Sequence, residues 1–204
     1  MKKSNLLILV LSVALASFGL QACNDSGGGD KGAVSDTSSS NPVYDSTNNS
    51  NALTAEIKLE DDGRMFIDKA ASGGMMEVEA GKLAQANGKS QRVKSFGAMM
   101  VRDHSRANEE LKTLANQMNV TVGPTLMPEH QQHLDMIKKM KGTAFDKHYM
   151  KMMAEDHVKD VQLFEETAKE EKEAELQKFA AKTLPVLKMH LDSAKAINSA
   201  VSKM

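Results

Sequence analysis

Apolar residues recur every three or four positions from about residue 60 to the end of this 204-residue chain. This is the spacing of one face of an α-helix, and no segment alternates with a period of two for long enough to predict a strand. Methionine is frequent, with 15 residues, whereas aromatic residues make up only 4% of the chain. The pattern and the composition together predict an all-α fold.

Capping residues and helix breakers divide this region into elements. Helix A is predicted over about Asp62–Ala86, before Asn87-Gly88, and Ser90 is a suitable N-cap for helix B. Gly123-Pro124 interrupts the pattern, and a shorter helix is predicted over Pro128–Met140. The first part of the domain is therefore predicted as two long helices followed by a short one.

Two further long helices complete the predicted domain. Thr143 is expected to cap helix C, Asp146 is also assigned to the cap of that helix, and charged residues 169–175 form the next turn. Pro185 lies inside helix D and should kink or restart it. Four long helices with one long connection, residues 119–143, predict a ferritin-like four-helix bundle with a short extra helix in the B–C connection. A plain up-down bundle with the extra helix packed at one end is the alternative.

The beginning of the chain predicts export and lipid attachment. Lys2-Lys3 precedes an apolar run over residues 6–20, which is short for a membrane span of about 20 residues and has the layout of a secretory signal. The run ends in Leu20-Gln21-Ala22-Cys23, which resembles a bacterial lipobox and contains the only cysteine. We therefore expect a lipoprotein signal peptide over residues 1–22 and lipid on Cys23. An ordinary signal peptide with an incidental free cysteine is the alternative.

The residues after the cysteine predict a tether. Residues 23–55 are interpreted as the lipidated cysteine and a disordered linker rich in Ser, Asn, Gly, Asp and Thr, and residues 56–204 as the folded domain. Asn24 favours the outer membrane over the inner one, with the domain on the periplasmic side. The membrane, reached through the lipid, is the one partner that the sequence predicts. A net charge of −1 gives no reason to expect nucleic acid.

Three histidines replace apolar residues on the predicted core faces, and helix register predicts that they meet. His104 lies 14 residues after Ser90 and His157 lies 14 residues after Thr143, so parallel B and C helices place them level. Measured from the C–D turn, His157 and His190 differ in height by roughly 3 Å. Two of the three belong to a repeated Met-Met-x-x-Asp-His pattern, one copy in helix B and one in helix C.

Helix A contributes small residues and a carboxylate near this level. Ser72-Gly73-Gly74 is expected to leave room for the imidazoles or for a ligand between them, and Glu77 lies one turn further along the same face. Neutral imidazoles of His104, His157 and His190, with Glu77 as a possible fourth ligand, would suit Zn²⁺, Cu²⁺ or Fe²⁺. The sequence therefore predicts one transition-metal site in the core.

The neighbours of these histidines suggest supporting roles or a softer metal. Asp103 and Asp156 point about 100° away from the adjacent histidines, so they are expected to support the site or to face the surface. Met100 and Met153 each lie four residues before an inward histidine. Their thioether sulfurs are alternative soft ligands and would favour Cu(I).

A purely structural interpretation stays open beside the metal hypothesis. A core histidine is more often a hydrogen-bonded structural residue than a ligand, and methionines at helical spacing usually fill a core. The other histidines carry less weight, because His130 and His133 are expected on an exposed short helix and His148 lies in a Lys-rich segment. The alternative function is thus a non-catalytic structural or stress protein of the envelope, with core histidines and no metal.

The sequence predicts no catalytic residues. No histidine has Glu three positions earlier, which argues against the Glu-x-x-His di-iron site of many ferritin-like enzymes. A nucleophile elbow and a Gly-rich phosphate loop are also absent from the sequence. Whether the protein is an enzyme stays open.

A string of spaced motifs resembles one bacterial family of exported proteins. It runs through Gly73-Gly-Met-Met-Glu77, Met100-Val-Arg-Asp-His104, Phe145-Asp146-x-x-Tyr149, Met153-x-x-Asp-His157 and Leu184-Pro185-x-x-x-x-His190. These motifs are similar to the domain of unknown function 4142, over about residues 62–200. The resemblance implies a ferritin-like helical bundle in the cell envelope and implies no established activity.

Overall fold

Five α-helices form the part of the protein that the computed structural model describes, residues 59–204. They are α1 (Asp61–Asn87), α2 (Gln91–Gln117), α3 (Pro128–Ile137), α4 (Gly142–Glu170) and α5 (Ala174–Ser202). No strand occurs within this range, which confirms the predicted all-α fold. The predicted signal peptide, Cys23 and the tether lie outside the described residues.

The four long helices form two hairpins, α1–α2 and α4–α5, which pack together with α1 against α4 and α2 against α5. The carboxylate of Asp146, in the first turns of α4, accepts hydrogen bonds from the backbone N–H groups of Lys89 (3.0 Å) and Ser90 (2.7 Å) at the start of α2. The N-termini of α2 and α4 therefore lie at the same end of the bundle, and the connection that contains α3 runs its whole length. The ferritin-like prediction is confirmed, and the up-down alternative is wrong.

Two predicted caps differ from the structure. Helix α4 begins at Gly142, with Lys141 at the N-cap position, so Thr143 lies inside the helix and does not cap it. Asp146 caps α2 and not its own helix, because its carboxylate faces the unpaired N–H groups of the neighbouring N-terminus. Ser90 does occupy the N-cap position of α2, but its side chain forms no cap hydrogen bond there.

Two helix ends were also predicted differently. Helix α3 ends at Ile137, three residues before the predicted Met140. Helix α5 continues through Pro185 without restarting. Pro185 and Ala181 are exposed, so the backbone carbonyl that loses its N–H partner can be solvated by water. None of the helices within residues 59–204 is both long and apolar enough to cross a membrane.

The interior is divided into two hydrophobic clusters along the bundle axis. One cluster, near the start of α4, includes Met76, Phe96, Met100, Tyr149, Met153 and Ile197. The other, near the α4–α5 turn, includes Phe66, Leu111, Phe164, Leu176, Phe179 and Leu187. The buried polar residues Glu77, His104, His157 and His190 come one from each long helix, and the three histidines lie between residues of the two clusters in sequence. We call these four residues the histidine layer.

Candidate metal centre

The three imidazoles of the histidine layer form a nearly equilateral triangle. Their ring centroids are 5.6 Å apart for His104 and His157, 5.3 Å for His104 and His190, and 5.4 Å for His157 and His190. His157 and His190 are completely buried, and His104 is 6% exposed. The structure thus brings together the three rings that helix register predicted to meet.

Each ring has one nitrogen held by an oxygen of the protein. Nδ1 of His104 lies 2.8 Å from the carboxylate of Glu77, and Nδ1 of His157 donates to the carbonyl oxygen of Met153 at 2.9 Å. Nε2 of His190 donates to the carboxylate of Asp103 at 3.1 Å. Because a carbonyl or carboxylate oxygen accepts, these nitrogens carry the ring hydrogens.

The second nitrogen of each ring is left free. Nε2 of His104, Nε2 of His157 and Nδ1 of His190 are buried and have no hydrogen-bond partner among residues 59–204. One nitrogen from each of the three rings lies within 4.8 Å of those from the other two. With the hydrogen fixed on the opposite side of each ring, the free nitrogens present lone pairs, which is the form in which imidazole binds a metal.

Electrostatics keep two of these rings neutral. Burial lowers the pKa of His157, despite the nearby charge of Glu77. Burial and the neighbouring His104 together lower the pKa of His190 to about 4. At neutral pH both rings are therefore uncharged and available as ligands.

Glu77 lies on the hydrogen-bearing side of the layer. Its carboxylate contacts Nδ1 of His104 at 2.8 Å and Nδ1 of His157 at 3.2 Å. Burial raises the pKa of Glu77, but its contacts with His104 and His157, including the hydrogen bond from His104, outweigh burial and lower the pKa to about 2. Glu77 is therefore an anion that orients His104 and lies beside His157; its role as a fourth metal ligand stays a prediction.

Asp103 supports the histidine layer through a histidine that the sequence did not indicate. It holds His190 of α5, not its sequence neighbour His104. Two hydrogen bonds from Arg102, at 2.9 Å each, lower the pKa of Asp103 to about 2 against the effect of its burial. An exposed arginine therefore keeps a buried carboxylate ionised where it accepts the hydrogen of His190.

The methionines of the repeated pattern are core residues in this structure. Met100 and Met153 are completely buried in the hydrophobic cluster on one side of the histidine layer. Met153 contributes its backbone carbonyl to the layer by accepting the hydrogen of His157. Sulfur ligation by these residues stays a prediction.

Gly73 and Gly74 of α1 lie closest to side chains other than the three core imidazoles. A Cβ atom at Gly74 would lie 2.1 Å from the side-chain oxygen of Asn108, so Gly74 allows the close approach of α2. A Cβ atom at Gly73 would lie 3.6 Å from Cε1 of His130 and 3.8 Å from Oδ1 of Asp160. The nearest neighbours of the two glycines are thus Asn108, His130 and Asp160, while Gly74 also lines a small cavity with Glu77 and His104.

Two histidines of α3 lie closer to the site than expected. His130 is half-buried and its Nδ1 lies 2.7 Å from the hydroxyl of Ser72, while Nδ1 of His133 lies 3.0 Å from the carboxylate of Asp156. The expectation that they are exposed was wrong, because α3 packs on α1 and α4. His148 is exposed.

Asp160 is a site residue that the sequence analysis missed. It forms a second set of possible ligands with Glu77 and His157, whose ligand atoms lie within 4.8 Å of one another. Burial raises the pKa of Asp160 well above its usual value, and the charge of Glu77 adds to this effect. Its position three residues after His157, on the same helical face, was the signal that could have identified it.

The arrangement defines a class of protein, a ferritin-like helical bundle with a three-histidine layer across its core. The sequence matches the family "Domain of unknown function (DUF4142)" over residues 48–197. The chain belongs to this family, as the motif resemblance predicted.

A solved structure with a similar fold is that of a DUF305 fragment from Deinococcus radiodurans. The similarity has a TM-score of 0.60 at 8% sequence identity and covers 72% of this chain and 99% of that chain. At this identity the likeness concerns the fold alone. Among curated proteins, none matches this sequence.

Proposed function

We propose that this protein is a lipid-anchored helical bundle of the cell envelope that binds one transition-metal ion in its core. His104, His157 and His190 are the ligands in this proposal. Glu77 and Asp103 orient the rings and supply negative charge close to the cation. The metal is Zn²⁺, Cu²⁺ or Fe²⁺, the ions for which several neutral imidazoles are a suitable ligand set.

One observation carries the proposal: three imidazoles converge, with one nitrogen of each within 4.8 Å of those of the other two, and each ring has one buried nitrogen without a partner in the described part of the chain. A buried polar atom that lacks a hydrogen bond costs about 1–3 kcal/mol. Three such atoms on adjacent rings would be expensive in a purely structural core, whereas a shared cation would satisfy all of them. A histidine layer that served structure alone would be expected to use both nitrogens of each ring.

The surroundings leave space for a further small ligand. A cavity of about 20 Å³ borders Glu77, His104, Asn108 and Asp160. This volume is enough for one water molecule. Three protein ligands and a water are the ligand set of catalytic zinc sites, so a reactive metal–water site is compatible with this geometry.

Metal content of the protein isolated from the periplasmic side of the envelope tests the proposal. We expect about one equivalent of zinc, copper or iron per chain. The combined variant His104→Ala, His157→Ala and His190→Ala should contain none, whereas His148→Ala, which changes an exposed histidine, should retain the metal. Since the triple variant could unfold, His190→Gln serves as a milder second variant and should lower the content. Equal metal contents in all four proteins would contradict the proposal and favour the structural alternative.

Membrane attachment is proposed from the sequence and has its own test. The lipobox-like Leu20-Gln21-Ala22-Cys23 supports lipid on Cys23. Cys23→Ser should remove the protein from the outer-membrane fraction. Retention of this variant in the outer-membrane fraction would contradict a lipid anchor.

A further inference from the structure

A surface cleft lies directly outside the histidine layer. Its volume is about 320 Å³, and it lies where α1, α3 and α4 meet. Six of its lining residues are acidic or histidine: Glu129, His130, His133, Asp156, Asp160 and Glu166. Lys69 and Lys159 also line the cleft, with Nζ of Lys159 3.5 Å from the carboxylate of Asp156, so the oxygen and nitrogen ligands that it offers a cation stand beside two positive charges.

Asp160 connects the cleft to the histidine layer. It lines the cleft on one side and the 20 Å³ cavity beside Glu77 and His104 on the other. Its carboxylate also belongs to the set formed with Glu77 and His157, within 4.8 Å. Asp160 is thus the residue shared by the surface cleft and the interior site.

Glu77 provides an independent indication that a cation belongs on this side of the layer. It is 2% exposed, and its Oε1 atom has no hydrogen-bond partner in the described residues. A proton shared between Glu77 and Asp160, or a positive ion bound between them, would satisfy this oxygen. The same side chain contacts Nδ1 of His104 and Nδ1 of His157, so an ion held here lies beside two imidazoles, on the side of their ring hydrogens.

Gly73 lies beside His130 of the cleft and beside Asp160. The Cβ atom that this residue lacks would lie 3.8 Å from both Nε2 of His130 and Oδ1 of Asp160. A methyl group there would be in van der Waals contact with both ligand atoms. Because Gly in a helix interior costs up to about 1 kcal/mol relative to Ala, this glycine is not explained by helix stability.

We infer that a divalent transition-metal ion reaches the three imidazoles through this cleft, passing over Gly73 between His130 and Asp160 and resting at a carboxylate site formed by Asp160 and Glu77. This inference rests on the proposed function and adds the route and an outer binding position. Substitution of a residue on the route should change the rates of metal binding and metal release by the same factor, which leaves the dissociation constant unchanged. Substitution of a ligand of the final site should change the dissociation constant.

Stopped-flow binding of Co²⁺ to the metal-free full-length protein tests the route, with release into excess EDTA as the reverse measurement. Asp160→Asn keeps the size of the side chain and removes the carboxylate that would hold the ion; Gly73→Ala adds a methyl group beside His130 and Asp160 and favours the helix. Both variants should slow binding and release by about tenfold, while the dissociation constant stays within about threefold of the wild type. Glu109→Gln is the matched control, because it removes an exposed carboxylate in a different groove, between α1 and α2, and its rates should equal those of the wild type.

The outcomes separate this inference from the proposed function. Wild-type Co²⁺ binding with unchanged rates in both variants would overturn the route and leave the metal site intact. A weaker affinity with an unchanged binding rate would make Asp160 a ligand or a positioning residue, and would also overturn the route. If the wild-type protein binds no Co²⁺, Zn²⁺ or Cu²⁺, the proposed function fails, and the route fails with it.

Discussion

At the residue scale, the two copies of the Met-Met-x-x-Asp-His pattern perform the same task with different partners. In each copy the histidine enters the core, and the aspartate holds a histidine from another helix. Asp103 holds His190 of α5, and Asp156 contacts His133 of α3. The sequence motif therefore encodes both a core imidazole and an anchor for a second imidazole.

Removing the anchor of His190 should weaken metal binding without removing a ligand. In Asp103→Asn, the side chain can present its N–H₂ group to His190, and the negative charge beside Arg102 is lost. Loss of such a supporting carboxylate typically lowers metal affinity by about 10- to 100-fold. Competition titration with a chromophoric chelator measures the change, and Asp135→Asn on the exposed face of α3 is the control. An affinity equal to that of the control would contradict a supporting role for Asp103.

The low pKa of His190 predicts a pH dependence of folding in the metal-free protein. Burial and His104 lower its pKa to about 4 from the usual 6.5. Between pH 4 and pH 6.5, His190 is therefore protonated in the unfolded chain and neutral in the folded protein. Stability from neutral His190 is therefore lost as pH falls from about 6.5 toward 4. Between pH 7 and 4.5, the free energy of unfolding should fall by about 2 kcal/mol more in the wild type than in His190→Gln.

Urea denaturation in the presence of EDTA checks this difference. Asp160, whose raised pKa acts in the opposite direction, is present in both proteins and cancels in the comparison. The low pKa values of Glu77 and Asp103 affect stability mainly below pH 4.5. Parallel pH curves for the two proteins would show that His190 does not resist protonation in the fold.

The sequence predicted which residues enter the core, but not all of their partners. Helical spacing places His104, His157 and His190 on inward faces, and helix lengths set their common height. The contact of His190 with Asp103 depends on how α5 packs on α2, which periodicity does not specify. Asp160 was missed because its position three residues after His157 shows a shared helical face, whereas its proximity to Glu77 depends on how α4 packs on α1.

At the element scale, the sequence predicted the long helices, but it did not predict that a residue of one helix caps the N-terminus of another. The predicted start and end of α1 are each within one residue of the structure. Asp146, however, lies in α4 and caps α2, a contact between residues more than 50 positions apart. Capping rules read local sequence, so they assigned this aspartate to its own helix.

Asp146→Ala should destabilise the protein by about 1–2 kcal/mol, because two backbone N–H groups at the start of α2 lose their acceptor. Asp146 is completely buried, so water cannot readily replace the carboxylate. Urea denaturation measures the loss, and Asp135→Ala, a change at an exposed aspartate, should stay within about 0.5 kcal/mol of the wild type. Equal stability of the two variants would show that the link between α2 and α4 contributes little.

At the scale of the whole molecule, the histidine layer interrupts what could have been one continuous apolar core. Two hydrophobic clusters hold the ends of the bundle, and the layer between them contains the buried anion Glu77 and three incompletely paired rings. Apolar residues at these positions would avoid the cost of burying polar groups. The middle of the bundle is therefore the region where a bound ion would stabilise the fold most.

A metal ion that binds only the folded protein should raise the melting temperature. At a free concentration 100 times the dissociation constant, such an ion adds about 2.7 kcal/mol to the free energy of unfolding. For a folded domain of this size, that corresponds to an increase of roughly 5–10 °C. Calorimetry of the metal-free full-length protein with added Zn²⁺, Cu²⁺ or Co²⁺ measures the shift, and His190→Gln should reduce it while His148→Ala should not. If the melting temperature of each of the three proteins is unchanged by every metal, the histidine layer does not bind these ions. The free nitrogens of its rings must then be satisfied in another way.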